Sequence, residues 1–228
     1  ALAFSYFMVS RYYQFTKNLW IYIVVASAVL YLLGFLNGLG FDPLDMHSKL
    51  IDKQVFEYIA TIGNINSYSG YLSMVTPVLI MVFIIDSRVW LRALTGVTIF
   101  LSFENLMVNN SDGGFLGAGV GLMFMIYYCL KDKSKYRRLF EAGIIFGLAG
   151  LVMMLLKNAR GDDMVQLTGI ALGCTMPVIF GSALIVCVIL LLVDIKFNDK
   201  ISPKAARIVS YIFGAVCIVA VIAIFVYT

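Results

Sequence analysis

The chain has 228 residues, of which 61% are hydrophobic and 13% are charged, and its formal net charge is +4. A soluble domain carries about 25% charged residues, so this composition excludes an ordinary soluble fold and predicts a membrane protein. The apolar residues gather in runs close to the ~20 residues that an α-helix needs to cross the hydrocarbon core of a bilayer. We therefore expect an all-α fold, a polytopic transmembrane helical bundle.

About seven apolar runs are predicted to cross the membrane. They cover residues 19–38, 71–85, 89–108, 115–130, 139–156, 169–193 and 208–227. The apolar segment 1–10 precedes them, and we interpret it as a partial span that begins upstream. The chain also ends in an apolar run, at Thr228. We interpret residues 1–228 as one transmembrane domain that is incomplete at both ends.

Lys and Arg residues mark one side of the predicted bundle. Most of the 17 lie in four alternate connections, at residues 11–17, 86–92, 131–138 and 196–207. Basic residues favour the cytoplasmic side of a membrane, so these four connections are predicted to be cytoplasmic. The other connections, at residues 41–70, 109–114 and 157–168, and the C-terminus are then predicted to face outward.

The first outer connection, residues 41–70, is long enough to hold structure of its own. Its apolar residues fall near helical spacing at Leu50, Ile51, Val55, Tyr58 and Ile59. This spacing indicates either a short helix on the membrane surface or a loop helix packed on the bundle.

Several features of the predicted spans have a structural interpretation. Glycines four residues apart let helix backbones approach closely, as at Gly34 and Gly38, at Gly117 and Gly121, and at Gly143 and Gly147. Pro77 and Pro177 lie inside predicted spans and are expected to kink them. The four cysteines lie in apolar runs without CxxC spacing, so we expect no disulfide framework and no metal site.

Glu104 is the most unusual charge of the predicted spans, because it falls about one turn below the outer end of the third span. A carboxylate inside a membrane is costly and usually faces the bundle interior or a water-filled cavity. Asn105, Asn109, Ser111 and Asp112 follow it. One interpretation is an outward-facing polar site. The alternative is a structural carboxylate that reaches the interface or pairs with an arginine.

Two further outer segments carry groups that bind oxyanions or sugars. In the third outer connection, Arg160 can grip a phosphate in bidentate fashion, or it can pair with neighbouring Asp162 and Asp163. In the run GNINSYSG, Asn64 and Asn66 lie at the predicted outer surface, where amides bind sugar or phosphate oxygens. Asn and Gly also favour simple turns.

The run FDPLDMHSKL…TIGNINSYSGYLSMVTPV resembles the O-antigen ligase and Wzy-type polymerase superfamily. Members often carry a G-N-x-N turn that opens a span with an early proline, here Gly63, Asn64, Asn66 and Pro77. The resemblance covers approximately residues 36–125.

The resemblance departs from the family at the next outward turn. The family's S-R-G pattern is replaced by NNSDGG, where Asp112 follows Ser111 and no arginine is present. This departure removes a catalytic arginine from the turn and is typical of a divergent, Gram-positive-like branch.

The resemblance implies a glycan ligase or polymerase of the bacterial cell membrane. Its donor would be a sugar chain on a polyprenyl diphosphate, and its acceptor another glycan or a lipid, without a cofactor, a metal or a nucleic acid partner. We assign Asn64, Asn66, Ser111 and Asp112 to substrate binding, and Glu104 and Arg160 to catalysis. In this family a large outer loop bears further Arg and His residues, and we expect it beyond Thr228.

Two other functions fit a polytopic bundle. A secondary transporter would use kinked helices and an embedded carboxylate, but transporters usually bind substrate near the midplane, and here the polar residues crowd the predicted outer ends. A non-catalytic membrane scaffold is the second alternative.

Overall fold

The computed structural model of the protein describes residues 18–48, 50, 55, 60–200 and 202–227, except for the side chains of residues 162, 199 and 216–227. Within these ranges every regular element is helical, which confirms the all-α prediction. The helices are α1 (Leu19–Gly38), α2 (Ile65–Ile85), α3 (Val89–Val108), α4 (Asp112–Leu130), α5 (Tyr136–Arg160), α6 (Gly169–Cys174), α7 (Pro177–Phe197) and α8 (Pro203–Tyr227). Short 3-10 turns lie at Lys133–Lys135, Gly161–Asp163 and Asn198–Lys200.

In the described part of the chain, six helices, α1 to α5 and α7, are long and apolar enough to cross a membrane. Their lengths of 19 to 28 residues, counting the 3-10 turn before α5, match the ~20 residues that a bilayer demands. The chain is therefore a multi-pass helical bundle. Helices α1 and α3 have the predicted bounds, whereas α2, α4, α5 and α8 each begin earlier than the apolar runs suggested.

Helix α2 begins six residues before the predicted start, at Ile65 rather than residue 71. The side-chain oxygen of Asn64 accepts hydrogen bonds from the backbone N–H groups of Asn66 and Ser67, at 2.9 and 3.1 Å. Such a cap satisfies donors that a helix leaves unpaired at its first turn. The predicted outer connection 41–70 is therefore shorter than expected, and most of its proposed surface helix lies outside the described residues.

The predicted span 169–193 is broken, not kinked. Helix α6 ends at Cys174, and α7 begins with Pro177 in its first turn after an extended Met176. Proline has no N–H group and a fixed φ, so it suits the first position of a helix, where no intrahelical donor is required. Pro77, in contrast, lies inside α2 as predicted.

The predicted glycine pairs pack helix against helix. A β-carbon at Gly38 would collide with the side chain of Val108, and one at Gly34 would collide with Asn105 and Tyr68. Gly117 and Gly121 meet α2 in the same way, and Gly143 and Gly147 meet α7. The close-packing interpretation of these three pairs is confirmed.

Successive long helices run in opposite directions, so the bundle has two distinct ends. We call the end with the α2–α3, α4–α5 and α7–α8 connections the basic end. At the opposite end lies a group of polar side chains that we call the polar rim. The polar rim consists of Asn64, Asn66, Ser69, Asn109, Asn110, Ser111, Asp112 and Thr168.

Candidate functional site

The polar rim forms where α3 turns back into α4. Helix α3 ends at Val108, and Asn110 adopts a left-handed conformation with φ +51, which asparagine tolerates better than most residues. Ser111 then caps α4, because its hydroxyl oxygen accepts a hydrogen bond from the N–H of Gly114 at 3.4 Å. The sequence NNS thus makes the tight reversal that brings two helix ends to one place.

Two asparagines connect this turn to neighbouring elements. Asn109 donates from Nδ2 to the hydroxyl of Ser69 on α2 at 2.7 Å. Asn110 donates from Nδ2 to the carbonyl of Gln166 at 3.0 Å and accepts from the N–H of Thr168 at 2.8 Å. The rim is therefore one hydrogen-bonded unit of α2, α3, α4 and the segment that leads to α6.

Asp112 faces the start of α6. Its Oδ1 accepts a hydrogen bond from the N–H of Ile170 at 3.1 Å. Gly169 has φ +49, and a β-carbon there would lie 2.6 Å from this same oxygen, so both conformation and space require glycine. The structure thus gives Asp112 a helix-capping contact, while its side chain remains exposed at the rim.

Asn64 and Asn66 are both exposed. The side-chain oxygen of Asn64 is occupied by the cap of α2, but its NH₂ group forms no hydrogen bond within the described part of the chain. The side chain of Asn66 likewise has no partner among the described residues. Both amides therefore keep N–H donors that no described residue uses.

Glu104 lies one helical turn before Val108 and is completely buried. Neither carboxylate oxygen has a hydrogen-bond partner among the described residues. Burial of an ionisable side chain without a partner costs several kcal/mol in principle, and buried polar groups are almost always satisfied. Glu104 is therefore the described side chain whose position packing explains least.

Asn105, next to Glu104, does not point outward as the sequence suggested, because it is fully buried. Its Oδ1 accepts from the hydroxyl of Tyr68 on α2 at 2.6 Å, and its Nδ2 donates to the carbonyl of Tyr31 on α1 at 2.7 Å. Hydrogen bonds of this kind hold helices together in lipid. Sequence analysis missed this network, and the only available signal was the polar face shared by Asn105, Ser102 and Thr98.

Arg160 ends α5 on the same side of the bundle as the rim. Its guanidinium carbon lies 4.3 Å from the centre of the Phe41 ring, a cation–π contact. It forms no ion pair with Asp163 or with any other described carboxylate, and the side chain of Asp162 lies outside the described residues. No ion pair joins Arg160 to Glu104 in the described part of the chain either.

The connections at the rim end of the bundle are fastened to one another beside Arg160. The N–H of Val165 donates to the carbonyl of Gly38 at 3.0 Å, and Asn37 donates to the carbonyl of Phe41 at 3.0 Å. Asp42 accepts a hydrogen bond from the N–H of His47 at 2.6 Å. Desolvation raises the pKa of Asp42, but backbone hydrogen bonds such as this one lower it further, so the net pKa is below the ordinary value.

The arrangement offers amides, one buried carboxylate and one guanidinium at the same end of the bundle. Within the described ranges no three His, Cys, Asp or Glu side chains gather as a metal site would require. Comparison with known proteins adds no relative: no family model matches the sequence, and no curated protein or solved structure is significantly similar to it.

Proposed function

We propose that the protein is a membrane glycan ligase or polymerase, which transfers a sugar chain from a polyprenyl diphosphate to an acceptor at the polar rim. The observation that carries this proposal is the buried carboxylate of Glu104, which has no partner among the described residues and lies just beneath the rim. Ionisable side chains inside membrane-spanning segments are costly and usually mark functional sites. The family resemblance of the GNIN turn supports the same function.

In the proposed reaction, a hydroxyl of the acceptor attacks the anomeric carbon of the donor sugar. Glu104 accepts the proton of that hydroxyl as the new carbon–oxygen bond forms. The bond between the anomeric carbon and the diphosphate oxygen breaks, and the polyprenyl diphosphate leaves with the electron pair. The reaction needs no oxidant and no further reactant.

Arg160 is proposed to stabilise the leaving diphosphate. A guanidinium presents several N–H donors in a plane and binds phosphate oxygens in bidentate fashion. In the described part of the chain Arg160 is not neutralised by a carboxylate, and its contact with Phe41 leaves the charge intact. Electrostatic stabilisation of a developing charge is usually the largest contribution to such catalysis.

The exposed amides of Asn64 and Asn66 are proposed to bind sugar or phosphate oxygens of the donor. Asn64 is well suited, since its oxygen is fixed by the helix cap and its NH₂ group is thereby oriented. Ser111 and Asp112 complete the proposed substrate-binding group. The capping contacts of Ser111 and Asp112 hold both side chains at the polar rim.

A proton-coupled secondary transporter is the second candidate, and the complete burial of Glu104 favours it. A carboxylate sealed from solvent that gains and loses a proton is the usual element of a proton relay in transporters. In this case Glu104 would titrate during transport and would not touch a sugar.

The test is a transfer assay with the full-length protein in proteoliposomes that contain a polyprenyl-diphosphate-linked glycan. Glu104→Gln is expected to slow release of polyprenyl diphosphate by about 100-fold or more, the range of a lost general base. Glu141→Gln is the matched control, because this carboxylate pairs with Arg137 and Arg138 at the basic end.

A second pair of variants tests the role of the guanidinium. Arg160→Gln is expected to lower the rate strongly, whereas Lys157→Gln, one turn earlier on α5, is expected to leave it unchanged.

Equal rates for Glu104→Gln and the unsubstituted protein, with normal membrane insertion, would contradict the proposal. Proton-driven uptake of a solute that is lost in Glu104→Gln would favour the transporter.

A further inference from the structure

An apolar cavity of about 500 Å³ lies between α4 on one side and α5 and α7 on the other. Every described side chain that lines it is apolar. It follows α4 from Phe115 to Leu130, a distance of about 22 Å at the rise of an α-helix. We call this cavity the slot. A narrow, wholly apolar space of this length inside a membrane protein suits a hydrocarbon chain.

The slot reaches the basic end of the bundle. Leu130 and Leu139, which flank the α4–α5 connection, line it there together with Leu190 of α7. Leu190 lies one turn before Asp194, whose carboxylate accepts a hydrogen bond from Asn198 at 2.6 Å. This end of the slot is therefore bordered by the α4–α5 and α7–α8 connections.

These two connections are held together by a reciprocal pair of hydrogen bonds. Lys133 donates from Nζ to the carbonyl of Asn198 at 3.0 Å, and Asn198 donates from Nδ2 to the carbonyl of Lys133 at 3.1 Å. The contact joins residues 65 positions apart in the chain. Positive charges that are separate in sequence are thereby brought to one place.

Nine cations belong to this group, which we call the basic cluster. Its members are Lys131, Lys133, Lys135, Arg137, Arg138, Lys196, Lys200, Lys204 and Arg207. Lys135 pairs with Asp132, and both arginines of α5 pair with Glu141. The other six form no ion pair with a described carboxylate. Lys131, for example, lies 4.2 Å from the ring centre of Tyr127, a cation–π contact.

We propose that the basic cluster and the slot together bind one anionic phospholipid from the leaflet at the basic end. The lipid phosphate lies among the cations, and one acyl chain enters the slot between α4 and α7. The basic cluster matches the anionic headgroup of such a molecule, and the slot matches its acyl chain. Basic pockets between membrane helices are suited to anionic headgroups, while the slot has no polar group that a sugar or a peptide needs.

This inference does not depend on the proposed function. The glycan donor is expected at the polar rim, at the other end of the helices, whereas the lipid phosphate is expected at the basic cluster. A bound phospholipid here would connect α4 to α7. These two helices pack mainly against other helices, α4 against α2 and α7 against α5.

The test measures lipid binding by the purified full-length protein in detergent, by native mass spectrometry and by thermal stabilisation. Phosphatidylglycerol and phosphatidylcholine with the same acyl chains are the probes. Phosphatidylglycerol is expected to bind and stabilise, and phosphatidylcholine to do so much less. Replacement of Lys131 and Lys200 by Gln is expected to weaken phosphatidylglycerol binding about fivefold for each charge removed. Lys157→Gln at the opposite end is the charge control.

A second variant tests the slot itself. Gly119 lines the slot, and a β-carbon there would meet no atom within 4 Å, so Gly119→Leu fills the space without a clash at its first carbon. Gly181→Leu is the matched control, because Gly181 in α7 is equally free of contacts and does not line the slot. Only Gly119→Leu is expected to reduce retention of phosphatidylglycerol.

Three results would overturn the inference. The first is equal binding of the two lipids, and the second is unchanged binding after the lysine replacements. The third is displacement of phosphatidylglycerol by a polyprenyl phosphate at a much lower concentration than by isotope-labelled phosphatidylglycerol, which would assign the slot to the glycan donor. The lysine variants lie on the surface, so they report on the site even if Gly119→Leu lowers the yield of folded protein.

Discussion

The hydrogen bonds of Asn105 predict a measurable loss of bundle stability in Asn105→Leu. Leucine has as many side-chain heavy atoms as asparagine but cannot hydrogen-bond, so the change removes the bonds to Tyr68 on α2 and to the Tyr31 carbonyl on α1. Interhelical hydrogen bonds in membrane proteins contribute about 0.6 kcal/mol on average and up to about 1.7 kcal/mol. Two such bonds give an expected destabilisation of about 1 to 3 kcal/mol.

A double-mutant cycle isolates the Asn105–Tyr68 bond. The assay is reversible unfolding in mixed micelles with Asn105→Leu, Tyr68→Phe and the double variant. We expect a coupling energy of about 0.6 kcal/mol or more. Tyr22→Phe is the matched control, because Tyr22 is 71% exposed on the lipid-facing side of α1. A coupling energy of zero, or an Asn105→Leu protein as stable as the original, would refute the assigned network.

Three further outcomes are expected. Gly38→Ala is expected to cost about 1 to 3 kcal/mol through overpacking against Val108 in the same unfolding assay. Gly70→Ala meets no atom within 4 Å and is expected to be neutral or to stabilise by up to about 1 kcal/mol, because alanine favours a helix more than glycine does. Asn64→Ala is expected to cost about 0.5 to 2 kcal/mol by removing the cap of α2, and Asn64→Asp is expected to retain most of that stability. Asp42 has a lowered pKa, so its contribution to stability is present above its unfolded pKa of about 3.9 and is lost as the pH falls through its lower folded value. In Asp42→Asn the unfolding temperature is expected to fall less steeply as the pH is lowered into the acid range. An unchanged pH dependence would contradict that assignment.

Hydropathy predicted the helical class and the bounds of two spans, α1 and α3. It missed the first turn of α2, where Asn66, Ser67 and Ser69 lower the local hydropathy although Asn64 caps the helix. It also merged α6 with α7. The composition of an apolar run that contains a proline is the same whether the proline kinks one helix or begins a second one. The position of Pro177 in the first turn depends on how α6 ends.

The candidate site was predictable only as a set of residues near one end of the bundle. Sequence indicated that Glu104 was unusual, but the complete burial of its carboxylate is a property of packing. The direction of Asn105 was predicted wrongly, because a single residue shift along α3 turns a side chain from the rim to the α1–α2 interface. The capping contacts of Ser111 and Asp112 were equally hidden, since they depend on how α4 and α6 meet.

Glycan transfer at the outer face requires that the polar rim face the outside of the cell and the basic end the cytoplasm. The direct measurement is labelling of intact cells by a membrane-impermeant maleimide after Asn66→Cys at the rim or Ser134→Cys at the basic end, both exposed positions. The unsubstituted protein is the background control. Labelling of Asn66→Cys in intact cells, with labelling of Ser134→Cys only after lysis, is the predicted result. The reverse pattern would place the rim in the cytoplasm and would contradict glycan transfer at the outer face.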